Sequence, residues 1–229
     1  MNRLHYEWSL GNSKLKKERI ASFNIPALLA QTGFTVCPNA GICAGLCYAR
    51  QGRFTMAMVQ APRERNLARL LDTAQNNRWG WIGVLSDLID DVNRLPKRIR
   101  RVRIHDSGDF FEPIYMRTWL DVATQCPQIE FYAYTKMITD LQWYQANGFV
   151  PGNMRLVQSV GGKQDDLIDR ALPHSRIFPT EGSLRTAGYV DATHTDKPAY
   201  SGVVNIGLVY HGTRKLTNAQ TQQLLSIEV

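Results

Sequence analysis

Three of the four cysteines fall within eleven residues, in the segment Cys37-Pro-Asn-Ala-Gly-Ile-Cys43-Ala-Gly-Leu-Cys47. Thiolates are soft ligands, and three of them on one short, glycine-bearing loop suit a soft metal or an iron–sulfur cluster. Three is one fewer than the usual four, and an unfilled coordination position is where metal chemistry takes place. Cys43 and Cys47 are four apart and share a face if that stretch is helical. Cys37 can fold back towards them through Asn39 and Gly41. The C-x5-C-x3-C spacing lacks the CxxC knuckle of common zinc sites. The expected occupant is therefore a [4Fe–4S] cluster held at three corners by Cys37, Cys43 and Cys47, with one iron left for a small ligand or a non-cysteine residue. Zinc is the alternative metal, and three reactive thiols without metal a further reading.

A second set of polar residues gathers where strands should end. His105, Asp106, Asp109, Lys136 and Glu181 are candidate catalytic groups. Gln158, Ser159 and Gly161 are candidate cofactor contacts. Each also has an ordinary structural use, as a helix cap or a satisfied core hydrogen bond. His105-Asp106-Ser107 is not a hydrolase triad, because adjacent side chains of an extended segment point to opposite faces. A zinc hydrolase with a rim carboxylate as base is a weaker reading, and the cysteine pattern of base deaminases is missing.

Short apolar runs that alternate with amphipathic stretches must hold these groups. Strands are expected at Ile20–Pro26, Arg101–His105, Ile129–Tyr134, Met154–Gln158, Arg176–Phe178 and Val203–His211. Helices are expected over 56–74, 81–92, 112–125 and 140–146, with a closing helix at 216–227 capped by Thr217 and Gln220. Strand, helix, strand repeats imply right-handed βαβ units and a parallel sheet. The fold class is thus α/β, either a partial (β/α) barrel or an open, mostly parallel sheet of about six strands with helices outside. In both, the loops after the strands share one rim. Cys126, between a helix and the next strand, falls at the opposite end as a buried thiol. It would be the fourth ligand only if the topology were otherwise.

The chain has 229 residues and is 44% hydrophobic, enough for one domain over 1–229 with one sizeable core. It has no long apolar run and no secretory signal at Met1–Trp8, so a cytoplasmic protein with reduced thiols and no membrane partner is expected. Net charge is +7, carried in part by Lys14–Arg19 and Lys97–Arg103. Such runs are either solvated flanks of helices and strands or a surface for an anionic small molecule or nucleic acid.

A tri-cysteine loop after the first strand of a (β/α) barrel resembles the radical S-adenosylmethionine enzymes, which implies that cofactor at the open iron. The spacing differs from that superfamily's C-x3-C-x2-C, and no clear Gly-Gly-Glu follows the second strand. A closer resemblance rests on Gly11-Asn-Ser-Lys-Leu15, the loop ending Cys47-Tyr-Ala49, Arg103-Ile-His-Asp-Ser-Gly-Asp-Phe110, Phe131-Tyr-Ala-Tyr-Thr-Lys136 and Gly207-Leu-Val-Tyr-His-Gly212. Together these are similar to the bacteriophage gene product 88 family. The resemblance implies a phage origin and the host cytoplasm as the setting, and it implies no particular reaction. It also implies further cysteines near the C-terminus. Asp191–Pro198 has none, so no second metal site is expected. The function expected is a phage-type iron–sulfur protein with reductive or radical chemistry on an anionic substrate, or else a metal-stabilised module that binds nucleic acid or a host protein.

Overall fold

The computed structural model describes residues 4–11 and 13–227; Met1–Arg3 of the N-terminal segment and Asn12 of the Gly11–Leu15 segment lie outside the described residues, as do the side chains of Ser13 and Lys14. The strands are β1 (Trp8–Ser9), β2 (Ile20–Phe23), β3 (Arg101–Ile104), β4 (Glu130–Thr135), β5 (Met154–Ser159), β6 (His174–Phe178), β7 (Val190–Asp191) and β8 (Asn205–Val209). The helices are α1 (Ser13–Lys17), α2 (Cys43–Leu46), α3 (Ala57–Asn76), α4 (Trp81–Arg94), α5 (Pro113–Gln125), α6 (Ile138–Ala146), α7 (Glu181–Thr186), α8 (Lys197–Tyr200) and α9 (Asn218–Ser226).

The strands form one sheet in the order β1-β2-β3-β4-β5-β6-β8-β7. Among the described strands of this sheet, only the β1–β2 pair is antiparallel. From β2 to β6 each connection moves one strand in the same direction, so right-handed crossovers place α3 to α6 on one face. The step from β7 back to β8 runs the other way, and the same handedness puts α8 on the opposite face. Strand alternation agrees. Phe131 and Ala133 join the large core with Leu67, Leu88, Trp119 and Leu141, whereas Tyr132 joins a smaller one with Leu15, Val157, Ala199 and Ile206.

The large core explains the main helices. On α4, Val84, Leu88 and Val92 recur every fourth residue and are buried, the spacing of one helical stripe. Pro113 opens α5, where its missing N–H costs nothing. Phe23 of β2 packs edge-on to Trp119 at 5.1 Å and to Trp8 at 5.4 Å. Burying each such side chain stabilises the fold by about 1.5–3 kcal/mol. Asp91 is buried on α4 and accepts hydrogen bonds from the Tyr6 N–H at 2.8 Å and the Trp8 indole at 2.8 Å, which fixes the entry to β1. At the other end, the capping box expected at Thr217 and Gln220 opens α9.

One expectation needs correction, and one choice is decided. The sheet has eight strands rather than about six, because β1 and β7 are two residues long and too short to show a period. Of the two expected arrangements, the open, mostly parallel sheet is the one observed among the described residues: β1 and β7 are its edges and do not pair with each other. Among the described residues, no helix is long and apolar enough to cross a membrane.

Candidate functional site

Parallel strands bring their following loops to one rim. There a cavity of about 440 Å³ is lined by Cys37, Cys43, Cys47, Asp106, Asp109, Lys136 and Ser159. Its size falls within the roughly 300–1,000 Å³ of small-molecule sites. Arg103, Ser175, Thr193 and His211 complete its far wall.

The cysteine loop is placed by backbone contacts at both ends. Leu29 and Thr35 form a small antiparallel bridge after β2. It delivers Cys37 to Leu28, whose N–H donates to Cys37 Sγ at 3.3 Å. Cys43 opens α2 and Cys47 ends it, so the four-residue spacing is one helical turn. The loop is then fastened to the turn after β5. Gly41 N–H and Cys43 N–H both donate to the Gly161 carbonyl, at 3.2 and 3.1 Å. This approach needs glycine, since a Cβ on Gly41 would lie 2.8 Å from the Gly162 carbonyl oxygen.

Electrostatics at the loop couple the thiols to a half-buried cation. Burial first, then the charge of Asp109, pushes the Cys37 thiol well above its ordinary value, against the Leu28 N–H. Burial and then Cys43 push Cys47 up, against the Ala49 N–H. For Lys136, burial works downward, but the negative fields of Cys43, Asp109 and Cys37 outweigh it and hold the ammonium above its ordinary value. Lys136 Nζ donates to Ser159 Oγ at 2.6 Å. The carboxylate of Asp109 accepts from Thr135 Oγ1 at 2.7 Å and from the Lys136 N–H at 2.9 Å, which fixes the end of β4 beneath that ammonium. Burial raises Asp109 in spite of these partners.

The remaining candidates divide. Asp106 lines the cavity but is held by Arg63 of α3, whose Nη2 reaches both carboxylate oxygens at 3.0 and 2.8 Å. Arg63 Nε also donates to Ser107 Oγ at 2.8 Å. The ring of His105 is buried beside Phe110 and shares a 2.8 Å hydrogen bond with the Tyr115 hydroxyl. Burial, then the charge of Arg103, lowers its pKa to about 3, so the ring is neutral near pH 7. Gly161 spends its N–H on Asp165 at 2.8 Å and its carbonyl on the cysteine loop. Gln158 is fully buried and bonds both ways to the Asp169 backbone, at 2.8 and 2.9 Å. Glu181 pairs with Arg185 on the exposed α7, apart from the cavity. Cys126 lies at the other end of the strands, fully buried in the large core.

Several lining or supporting residues were not among the candidates. Arg103 Nη1 reaches Asp196 at 3.0 Å, and Tyr132 donates its hydroxyl to the same carboxylate at 2.6 Å. Burial works against Arg103's charge, but Asp196 holds its pKa well up. The alternation Arg101-Val-Arg-Ile104 was the available signal for Arg103, since it puts both arginines on the face that α8 covers. Tyr48 donates to the Asp106 carbonyl and stacks obliquely on His211 at 5.4 Å. Gln51 accepts from the Arg214 N–H at 3.1 Å and so ties the cysteine side of the cavity to the loop after β8.

A metal fit follows from the donors. Among the described residues, no three His, Cys, Asp or Glu side chains are close enough to share one metal ion. The three thiols line a common cavity but do not form a ready-made three-ligand site for one ion. N–H groups aimed at Cys37 and Cys47, with a half-buried ammonium beside Cys43 and Cys37, are surroundings that favour thiolate ligands.

Comparison with known proteins bears on the family. A profile of the family described as Gene product 88 matches residues 6–225. The Gene 88 protein of Mycobacterium phage D29 is 30% identical over 169 residues, 73% of this chain and 65% of that protein. The Gene 88 protein of Mycobacterium phage L5 is 31% identical over 109 residues, 47% of this chain and 45% of that protein. The chain thus spans less than two thirds of the length of these relatives. No solved structure matches. None of these matches supports the resemblance to radical S-adenosylmethionine enzymes.

Proposed function

We propose, for a chain that belongs to the Gene product 88 family, that the rim cavity binds a [4Fe–4S] cluster through Cys37, Cys43 and Cys47 and accepts a small anionic ligand beside it. The observation that carries this reading is that three thiols from one short loop line one cavity together with the Lys136 ammonium. A cluster with one iron not ligated by cysteine would supply electron transfer or a Lewis-acidic site. The chain's own residues provide the rest. Lys136 offsets the negative charge that three thiolates bring, and Ser159 holds it in place. The Leu28 and Ala49 N–H groups stabilise sulfur as thiolate. Arg103, held by Asp196, presents a fixed cation to an anionic ligand on the far wall. Asp106 and Asp109 act as positioning groups, since Arg63 and the end of β4 already occupy their oxygens.

The test is anaerobic reconstitution with iron and sulfide, followed by visible and electron-spin-resonance spectra with and without S-adenosylmethionine. The expected result is about four iron and four sulfide per chain, lost in Cys37→Ser, Cys43→Ser or Cys47→Ser. A spectral shift on adding S-adenosylmethionine would identify the small ligand. A colourless protein that holds stoichiometric zinc and takes up no iron would overturn the proposal.

A further inference from the structure

The two basic runs that stand far apart in sequence meet in space. Lys14–Arg19 leads into β2 and Lys97–Arg100 leads into β3, and β2 and β3 are parallel neighbours with Ile20 opposite Arg101. Both runs therefore lie at the N-terminal ends of the strands, the end away from the cysteine rim. The backbone welds them together, since Arg100 N–H donates to the Arg19 carbonyl at 3.0 Å. Lys16, Lys17, Arg19, Lys97, Arg98 and Arg100 are all exposed, and none takes part in an ion pair among the described residues. Between them is a cleft of about 480 Å³ lined by Lys17, Arg19, Arg100 and Arg101 with Glu18, Gln128 and Glu130.

The two carboxylates of that cleft are already engaged. Glu18 accepts from Thr195 Oγ1 at 2.8 Å and from the Tyr200 hydroxyl at 3.0 Å. Glu130 pairs with Arg101 at 2.6 Å. The patch is left with uncompensated positive charge. It also holds no exposed large apolar side chain, since none falls within 14–19 or 96–101. A partner protein would want an apolar centre, and a membrane surface would want apolar residues to insert. A row of cations alone matches a uniform line of phosphates, and the absence of exposed aromatics there leaves nothing on which to stack bases.

We infer that this patch docks the sugar–phosphate backbone of nucleic acid without reading its sequence. It does so independently of the cluster reading, because patch and cavity occupy opposite ends of the same strands. The test is fluorescence anisotropy of the full chain with labelled duplex DNA and, separately, single-stranded RNA of unrelated sequences, over a salt series. Six engaged cations predict a log–log salt slope near −5 on duplex DNA, so affinity falls about a thousandfold from about 50 to about 200 mM salt. Lys97→Gln/Arg98→Gln/Arg100→Gln should reduce the slope by about 3 units, and Lys16→Gln/Lys17→Gln should reduce it by about 2. A control of equal charge, Arg78→Gln/Lys163→Gln/Lys215→Gln, changes exposed cations in the α3–α4 turn and in the loops after β5 and β8, and should leave the slope intact. Tighter binding of one nucleic acid would identify the source of the phosphates. Equal losses in control and patch variants, or no salt-dependent binding to either, would overturn the inference. Unaltered thermal melting of each variant verifies that folding is preserved.

Discussion

Arg63→Met should cost the fold about 3 kcal/mol, at the low end for breaking a buried pair. Arg63 comes from the first half of α3 and grips the loop after β3 from the helix side. It makes two hydrogen bonds to Asp106, at 3.0 and 2.8 Å, and one to Ser107 at 2.8 Å. The two charged side chains are only 10% and 20% exposed, so water repairs little once one partner is gone. Methionine keeps most of the volume, so the loss reports the orphaned carboxylate rather than a cavity. Against a total stability of about 5–15 kcal/mol the deficit is large. With an m-value of about 2–3 kcal/mol per molar in urea, the unfolding midpoint should fall by about 1–1.5 M at constant m. Arg63→Met/Asp106→Asn removes the stranded charge and should recover at least about 1 kcal/mol relative to the single variant. A midpoint unchanged by Arg63→Met, or single-variant losses that simply add in the double, would refute the view that this ion pair locks the rim.

Further outcomes follow from the same structure. Gly108 sits at φ +89°, and a Cβ there would lie 3.0 Å from the Pro26 carbonyl oxygen and against Ile25, so Gly108→Ala should destabilise by about 2 kcal/mol in urea unfolding. The folded-state pKa of His105, about 3, lies below its unfolded value. The unfolded chain therefore binds the extra proton below about pH 6.5, and stability contributed by the neutral ring is full above that and lost as pH falls towards 3, by about 2 kcal/mol at about pH 5. His105→Gln should flatten that part of the stability–pH curve, and an unchanged slope would count against the neutral ring. Cys126→Ala should lower stability by about 1 kcal/mol yet leave the iron content of reconstituted protein unchanged; loss of iron would make Cys126 a ligand.

The parallel order of the main strands was legible because each is long enough to show its period, and that order alone put the cysteine loop, Asp109, Lys136 and Ser159 on one rim. The short elements were not. The two-residue strands β1 and β7 and the four-residue α8 have no period to read. The choice between barrel and open sheet was equally hidden, since it depends on whether edge strands meet. Arg63 and Asp196 reach the rim from α3 and from the start of α8, positions fixed by packing rather than by local pattern. Glu181 follows a strand as expected, but α7 turns it outward to Arg185. Lying just beyond a strand end selects a loop, not the direction of each side chain.

The position of β8 bears on when the cavity can exist. This strand is later in the chain than both of its neighbours, β6 and β7, yet it lies between them. The loop that follows it meets Gln51 and Tyr48 across the cavity. During synthesis the cysteine loop is made early, but its opposite wall waits until β8 has threaded into the sheet. Until then the cavity is open on the side that the loop after β8 closes. Arrival of β8, rather than emergence of the cysteines, is the event that closes the cavity.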